Sequence, residues 1–512
     1  MTHELIAAVD LGSNSFRLMV GRVVDDQIYE LDNLKESVRL AAGLGADKML
    51  DTAAQTRGLD ALRRFNERLR GFAPDAVRAV ATNTLRVAKN SPEFLVQAEE
   101  ALGFPIEVIA GREEARLIYV GVAHTLPDPG LQQLVVDIGG GSTEFIIGRN
   151  FEPLQLESLY MGCVSYSLRF FPDGSITRHG MHEAVVAARQ ELQTIVHAYR
   201  ATGWELAVGS SGSARAICDV LELNGLSPVG ITYEGMEKLH SAMIKAGHID
   251  RINLTGLKSD RLPVFTGGFA IMYALFKEFD IDRMVFSDGA LRLGVLYDLL
   301  GRYHRHDLRD ATVHAFVRRY QVDAPQARRV ANTALGLLAQ VLPECAATED
   351  NDRRFLDWAA LLHEIGLSVA HSSYHKHTAY ILANADMPGF SRMDQGRLAR
   401  LALAHRGKLE RVQAMDPNSR DWILILCLRL AVIVHRAREE RDALPLRIEA
   451  DKRSEKRGGD KRGFVAIASH EWLQNSPLTT AALQDEEQQW ARLGKSFRLR
   501  VERTIARTVA SG

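Results

Sequence analysis

The chain has 512 residues, 46% of them hydrophobic and 25% charged, with 63 lysines and arginines against 64 aspartates and glutamates. Such a composition belongs to a folded protein of several domains. It excludes a chain-wide basic field for nucleic acid or anionic lipid, so any polyanion must be met by a local patch.

The N-terminus passes directly into a strand-like run, with neither a basic leader nor a long apolar stretch, and no signal peptide is expected. No apolar segment reaches the roughly 20 residues of a membrane span. Cys163, Cys218, Cys345 and Cys427 stand far apart without a C-x-x-C pair, as reduced core residues do. A cytoplasmic protein is therefore expected, with peripheral attachment at the inner face of the cell membrane left open.

Residues 7–22 align without gaps on residues 134–149, placing Asp10 on Asp137, Gly12 on Gly139 and Ser15 on Ser142. Each copy reads as a buried strand, an Asp-aliphatic-Gly turn of small residues and a second apolar strand. Third strands are expected over 27–34 and 153–159. The repeat predicts two duplicated α/β domains, 1–120 and 121–303.

Within them, strands predicted over 77–81, 106–110, 206–209 and 284–287 alternate with amphipathic helices, which predicts parallel or mixed sheets covered on both faces. Residues 304–438 read as an all-helical domain, with helices over 324–342 and 353–362. Residues 439–512 read as a small α+β domain: strands over 446–450, 464–469 and 497–501, a helix over 478–493 and a basic loop over 452–462.

The turn after Asp137 carries Gly139, Gly140, Gly141, Ser142 and Thr143, which let backbone N–H groups and hydroxyls reach an anion. Asp137 and Glu144 are hard oxygen ligands suited to Mg2+. The first copy offers Asp10, Ser13, Asn14 and Ser15, so two such turns would face each other across a cleft, where ligands collect.

Three further turns lead from a strand into a helix: one at Thr82 to Arg86, one at Ser210 to Arg215 carrying Ser211, Gly212 and Ser213, and one at Ser287 to Arg292. Helix N-termini attract anions, and Arg86 and Arg292, both expected in first turns, suit bidentate phosphate contact. Glu113 and Glu114 open another helix. Acids there ordinarily complement the helix dipole, but a carboxylate so placed also accepts a proton from water attacking a bound phosphate.

These motifs together resemble the exopolyphosphatase/guanosine-pentaphosphatase family of the actin, heat-shock-70 and sugar-kinase superfamily. The stretches that carry the likeness are AVDLGSNSFRLMV, ATNTLR, GREEARLIY, VVDIGGGSTEFIIG, MGCVS, SSGS, SDGALRLGVLYD and LLHEIGLSVAHSSYHKHTAYIL, spread over nearly the whole chain. The resemblance implies two actin-like (ribonuclease-H-like) domains. It makes Glu114 the catalytic base and sets Asp137 and Glu144 around the metal and water. Phosphate contacts then fall to Ser13, Asn14, Ser15, Arg86, Gly139, Gly140, Gly141, Ser142, Ser211, Gly212, Ser213 and Arg292. It also implies Mg2+, often with K+ stimulation, and a homodimer.

Between the family's two activities, the chain keeps Gly141, Ser287-Asp288 and His375-Lys376-His377, positions the pentaphosphatase branch tends to change. The expectation is therefore an exopolyphosphatase that cuts inorganic polyphosphate processively, with hydrolysis of guanosine pentaphosphate as the alternative. A superfamily kinase lacks an identifiable adenosine pocket and acceptor-activating Asp. A filament-forming scaffold or a non-catalytic polyphosphate sensor is the non-enzymatic reading.

In the helical domain, His363, His371, His375, His377 and His405 are similar to an HD phosphohydrolase site. Glu364 stands where that site has its metal-binding Asp. A vestigial site is expected.

Overall fold

A computed structural model describes residues 3–24, 27–126, 130–303, 308–347, 350–440, 444–451 and 463–502. The basic loop expected over 452–462 lies outside the described residues. The chain divides into two units, residues 1–308 with 388–392, and residues 309–387 with 393–512.

The first unit holds two sheets on one plan. Strands β1 (Leu5–Leu11), β2 (Phe16–Val24), β3 (Gln27–Glu36), β4 (Val77–Ala81) and β5 (Ile106–Val108) lie in the order β3-β2-β1-β4-β5. The second sheet comprises β6 (Gln133–Ile138), β7 (Thr143–Arg149), β8 (Glu152–Leu159), β9 (Leu206–Ser210), β10 (Ile231–Thr232) and β11 (Arg283–Phe286), in the order β10-β11-β9-β6-β7-β8. In both, the repeated sequence is an antiparallel three-strand meander, β1-β2-β3 or β6-β7-β8, whose first strand also pairs in parallel with a later strand, β4 or β9.

Alternation along each strand decides which core a residue joins. Ala7, Val9 and Leu11 pack with Phe65 and Phe94 of helices α1 (Thr52–Leu69) and α3 (Ser91–Leu102). Between α1 and α3 the five-residue α2 (Asn83–Val87) follows β4. Leu134, Val136 and Ile138 face a second core, built from α5 (Cys163–Phe170), α6 (Arg178–Thr202), α7 (Ser211–Leu223), α8 (Tyr233–Ala246) and α9 (Leu262–Phe279).

The opposite faces, Ile6 and Ala8 on one sheet and Val135 and Val208 on the other, share a third core with α4 (Gly111–Ala123) and α10 (Leu291–Tyr303). Each fully buried large side chain, such as Phe16 or Phe145, contributes roughly 1.5–3 kcal/mol to folding. Helices α4 and α10 touch backbone to backbone. A Cβ on Gly294 would collide with the Leu117 carbonyl, and one on Gly121 with the Ala290 carbonyl.

The second unit is helical through α11 (Leu308–Arg319), α12 (Ala324–Val341), α13 (Asn351–Leu362), α14 (Tyr374–Asn384), α15 (Arg392–Ala404) and α16 (Asp421–Val434). Asp323 and Asp350 cap α12 and α13, accepting from the N–H groups of Gln326 at 3.0 Å and Arg353 at 2.9 Å. Helix α16 is buried on nearly every side, which explains its lack of a polar stripe. A sheet of β12 (Leu446–Ala450), β13 (Phe464–Ser469) and β14 (Phe497–Glu502) follows, with α17 (His470–Gln474) and α18 (Pro477–Arg492) between β13 and β14. Among the described residues no helix is long and apolar enough to cross a membrane.

His363, His375 and His405 of this unit are buried. Rings of His363 and His405 meet edge to face at 5.2 Å, and their Nδ1 atoms donate to the carbonyls of Ala360 and Ala402 at 2.6 and 2.5 Å. Burial lowers the affinity of both for a proton. Glu364 is ion-paired with Arg438 at 2.6 Å. His371 is exposed and His377 partly so.

Candidate functional site

The two Asp-led turns close directly on each other. A Cβ on Gly140 would lie 2.9 Å from the Ser13 Cβ and 3.3 Å from the Asn14 nitrogen, and one on Gly141 would lie 2.5 Å from Asn83 Oδ1. Gly139, Gly140 and Gly141 all stay out of the left-handed region, so this close approach is what requires glycine here. The Ser142 carbonyl accepts from the Gly139 N–H at 2.9 Å, and the Gly139 and Gly140 carbonyls accept from the N–H groups of Cys163 and Val164 at the start of α5, each at 2.9 Å.

A cavity of about 720 Å³ opens beside these turns. Of the residues expected from sequence, Ser13, Asn14, Ser15, Glu114, Asp137, Gly139, Gly140, Ser142, Ser211, Gly212 and Arg292 line it. Ser211 sits at the head of α7 with φ 90, a conformation rare outside glycine and of the kind that gathers at functional turns.

Arg86, Gly141, Ser213 and Glu144, also expected from sequence, are not among the residues that line the cavity. Arg86 lies in the single turn of the short α2, and its guanidinium donates to Oε2 of the cavity-lining Glu114 at 3.2 Å and to the Ile109 carbonyl at 2.9 Å. Gly141 lies against Asn83 so closely that a side chain there would clash with it. Ser213 is buried, its Oγ donating to the Ile138 carbonyl at 3.2 Å. Glu144 is buried and accepts from Ser158 Oγ at 2.9 Å.

Strand register places the charges. Asp137 lies opposite Glu144 across β6 and β7, and Asp10 lies opposite Arg17 across β1 and β2. Opposed residues share a face of the sheet. The duplicated positions Arg17 and Glu144 therefore carry opposite charge beside equivalent aspartates.

Burial raises every carboxyl in this group. It pushes Glu114 up to about 7 against the opposing pull of Arg86, and Asp137 up to about 6. Asp10 is raised in the same sense, and Glu144 well above the usual range. Neighbouring Glu113 is engaged elsewhere, in a buried pair with Arg116, which also binds Asp298. Glu114 is thus the acid of the pair that reaches the cavity.

The donors fit Mg2+. Asp10 Oδ1 is buried without a hydrogen-bond partner, and a buried hard oxygen beside Asp137 complements a divalent cation. Among the described residues, the His, Cys, Asp or Glu groups whose ligand atoms lie within 4.8 Å of one another are Cys345, Asp350 and Asp352 alone. The cleft carboxylates make no closed cage, which suits an ion held by one or two carboxylates plus substrate phosphates.

Several lining residues were not picked out from sequence: Arg17, Lys35, Asp219, Lys258 and Arg261, while Arg215 was quoted only as the end of its turn. Arg17 had a signal, since the repeat aligns it with Glu144. The others come from separate loops and helices that only the fold assembles.

The sequence model of the Ppx/GppA phosphatase family matches residues 19–303, and that of Ppx/GppA phosphatase, domain III, matches residues 308–487. A "Guanosine-5'-triphosphate,3'-diphosphate pyrophosphatase" of Pseudoalteromonas translucida (strain TAC 125) is 39% identical over 497 residues, covering 96% of this chain and 97% of that one. A protein of the same description from Vibrio vulnificus (strain YJ016) is 38% identical over 493 residues, covering 96% and 97%. Among solved structures, an exopolyphosphatase from Cytophaga hutchinsonii superposes with a TM-score of 0.53 at 24% identity, over 58% of this chain and 97% of that one. That last likeness shows a shared fold.

Proposed function

The chain belongs to the Ppx/GppA phosphatase family, and on that premise we propose that it removes the terminal 5'-phosphate of guanosine 5'-triphosphate 3'-diphosphate by direct attack of water. Phosphatase chemistry is the family's; the choice of nucleotide is supported by full-length relatives that carry that description at 38 and 39% identity. It displaces the polymer preference drawn from Gly141, Ser287-Asp288 and His375-Lys376-His377.

The observation that carries the chemistry is the buried Glu114 carboxylate in a cavity walled by two phosphate-type turns. Gly140, Ser142 and Ser211 offer N–H and hydroxyl donors to the terminal phosphoryl oxygens, and Arg292 adds a cation whose Nε is buried and unpartnered. Glu114 orients a water and takes its proton as the oxygen bonds to phosphorus. The bridging P–O bond breaks, its electrons leave on the diphosphate end, and orthophosphate departs. Asp10 and Asp137 are the residues that would hold Mg2+, with Glu144 supporting the charge; the ion supplies neutralisation of phosphate charge.

A second substrate, inorganic polyphosphate, is favoured by Arg17, Lys258 and Arg261 around the same cavity. Phosphate release from the nucleotide and from long-chain polyphosphate, measured side by side with Mg2+ and with EDTA, tests the choice. Faster metal-dependent release from the nucleotide supports the reading, and the reverse ranking restores the exopolyphosphatase.

A further inference from the structure

Helix α7 begins at the phosphate-facing Ser211 and carries Arg215 and Asp219 along the wall of the same cavity, with Ala216 between them. The two are one helical turn apart and share a face. The guanidinium carbon of Arg215 lies 4.5 Å over the ring of Phe286, and its Nη2 is ion-paired with Asp288. A planar cation held against an aromatic ring on one side and anchored by a carboxylate can offer its second face as a stacking platform.

Asp219 is different from its neighbours. It lines the cavity, yet no hydrogen bond or ion pair engages its carboxylate among the described residues. In a groove for a pure polyphosphate an unpaired acid is a repulsive element. It becomes useful only if the occupant brings hydrogen-bond donors instead of phosphate oxygens to that point. From Ser211 to Asp219 is eight residues of helix, roughly 12 Å, comparable with the reach from a terminal phosphate through a triphosphate and ribose to a base.

We propose that Arg215 and Asp219 form a guanine subsite, with the base stacked on the guanidinium and its N1–H and N2 amino group donated to the Asp219 carboxylate. The inference rests on the nucleotide reading above and adds to it the feature that selects the base. Adenine turns a lone pair on N1 toward the same carboxylate and is rejected, as a site built for a hydrogen-bond donor rejects an analogue that lacks it.

The test compares phosphate release by the wild type, D219N and R215A from three substrates: guanosine 5'-triphosphate 3'-diphosphate, its adenosine counterpart and inorganic tripolyphosphate. The wild type should prefer guanosine. In D219N the kcat/KM ratio of the guanosine nucleotide to tripolyphosphate should fall roughly 5- to 100-fold, through KM, and the preference over adenosine should vanish. R215A should weaken both nucleotides alike relative to tripolyphosphate. Turnover of tripolyphosphate reports that each variant is folded. A D219N enzyme that keeps the guanosine preference, or a wild type without one, overturns the subsite and leaves nucleotide hydrolysis standing. A wild type that cuts tripolyphosphate and neither nucleotide overturns both.

Discussion

Arg86 Nη1 stands 3.2 Å from Oε2 of Glu114, and the same nitrogen donates to the Ile109 carbonyl at 2.9 Å. The pair joins α2 to α4, and both side chains are about nine-tenths buried. A cation anchored to backbone fixes the carboxylate's position and opposes the rise in its proton affinity that burial causes. Arg86 therefore acts on the reaction through Glu114.

Replacing it separates positioning from phosphate contact. Arg86→Ala is expected to lower kcat by roughly 10- to 100-fold with little change in KM, and Arg86→Lys to recover part of the loss. Steady-state kinetics decide it: a large rise in KM with kcat preserved would return Arg86 to the substrate.

Acidity gives a second test. Glu114 must be ionised to take a proton, so kcat should rise with pH along a limb centred near 7, where burial places this carboxyl. Stability runs the other way. A carboxyl whose proton affinity is raised by folding stabilises the native state below its ordinary value and loses that contribution as pH rises through the folded value. The window is 4.5 to about 7 for Glu114 and 3.8 to about 6 for Asp137. Calorimetry of the metal-free protein should show Tm falling across it. Glu114→Gln should raise Tm by a few degrees above the window and not below it. A Tm that climbs with pH through this range would contradict the burial argument.

Mg2+ should offset the same charges. Added above the window, it is expected to raise Tm more than when added below it, and Asp137→Asn should shrink the shift. An equal shift in wild type and variant, read by thermal denaturation with Mg2+ against EDTA, would place the ion elsewhere.

The crossing of α4 and α10 is a test of the scaffold. Gly→Ala in an exposed helix usually stabilises, but Gly294→Ala puts a methyl group into the Leu117 carbonyl. It should cost roughly 1–3 kcal/mol, and because α4 carries Glu114 and α10 carries Arg292, activity should fall with it. Chemical denaturation showing no loss of stability would mean the helices can part without cost.

What the sequence disclosed was mostly local. The Asp10 and Asp137 turns are written in contiguous residues, and strands over 77–81, 446–450 and 464–469 have the bounds read from periodicity. Glu114 stood out through the family resemblance of GREEARLIY, since its place at a helix start fits an ordinary dipole-complementing acid equally well. The Arg86–Glu114 pair did not, since 28 residues separate its members and nothing in either stretch marks the other. Gly140 was legible as a glycine, but the sequence did not show the second demand on it, the close approach of Ser13 from the other turn. Arg261 and Lys258 reach the cavity from a turn region with no motif of its own, so only the tertiary fold could bring them in.

The most direct test of the account is Glu114→Gln, assayed for phosphate release and for binding of guanosine 5'-triphosphate 3'-diphosphate by calorimetric titration in the same preparation. The account predicts turnover reduced by roughly 100- to 10,000-fold with affinity for the nucleotide nearly intact. Turnover near the wild-type rate would remove Glu114 from the chemistry and contradict it.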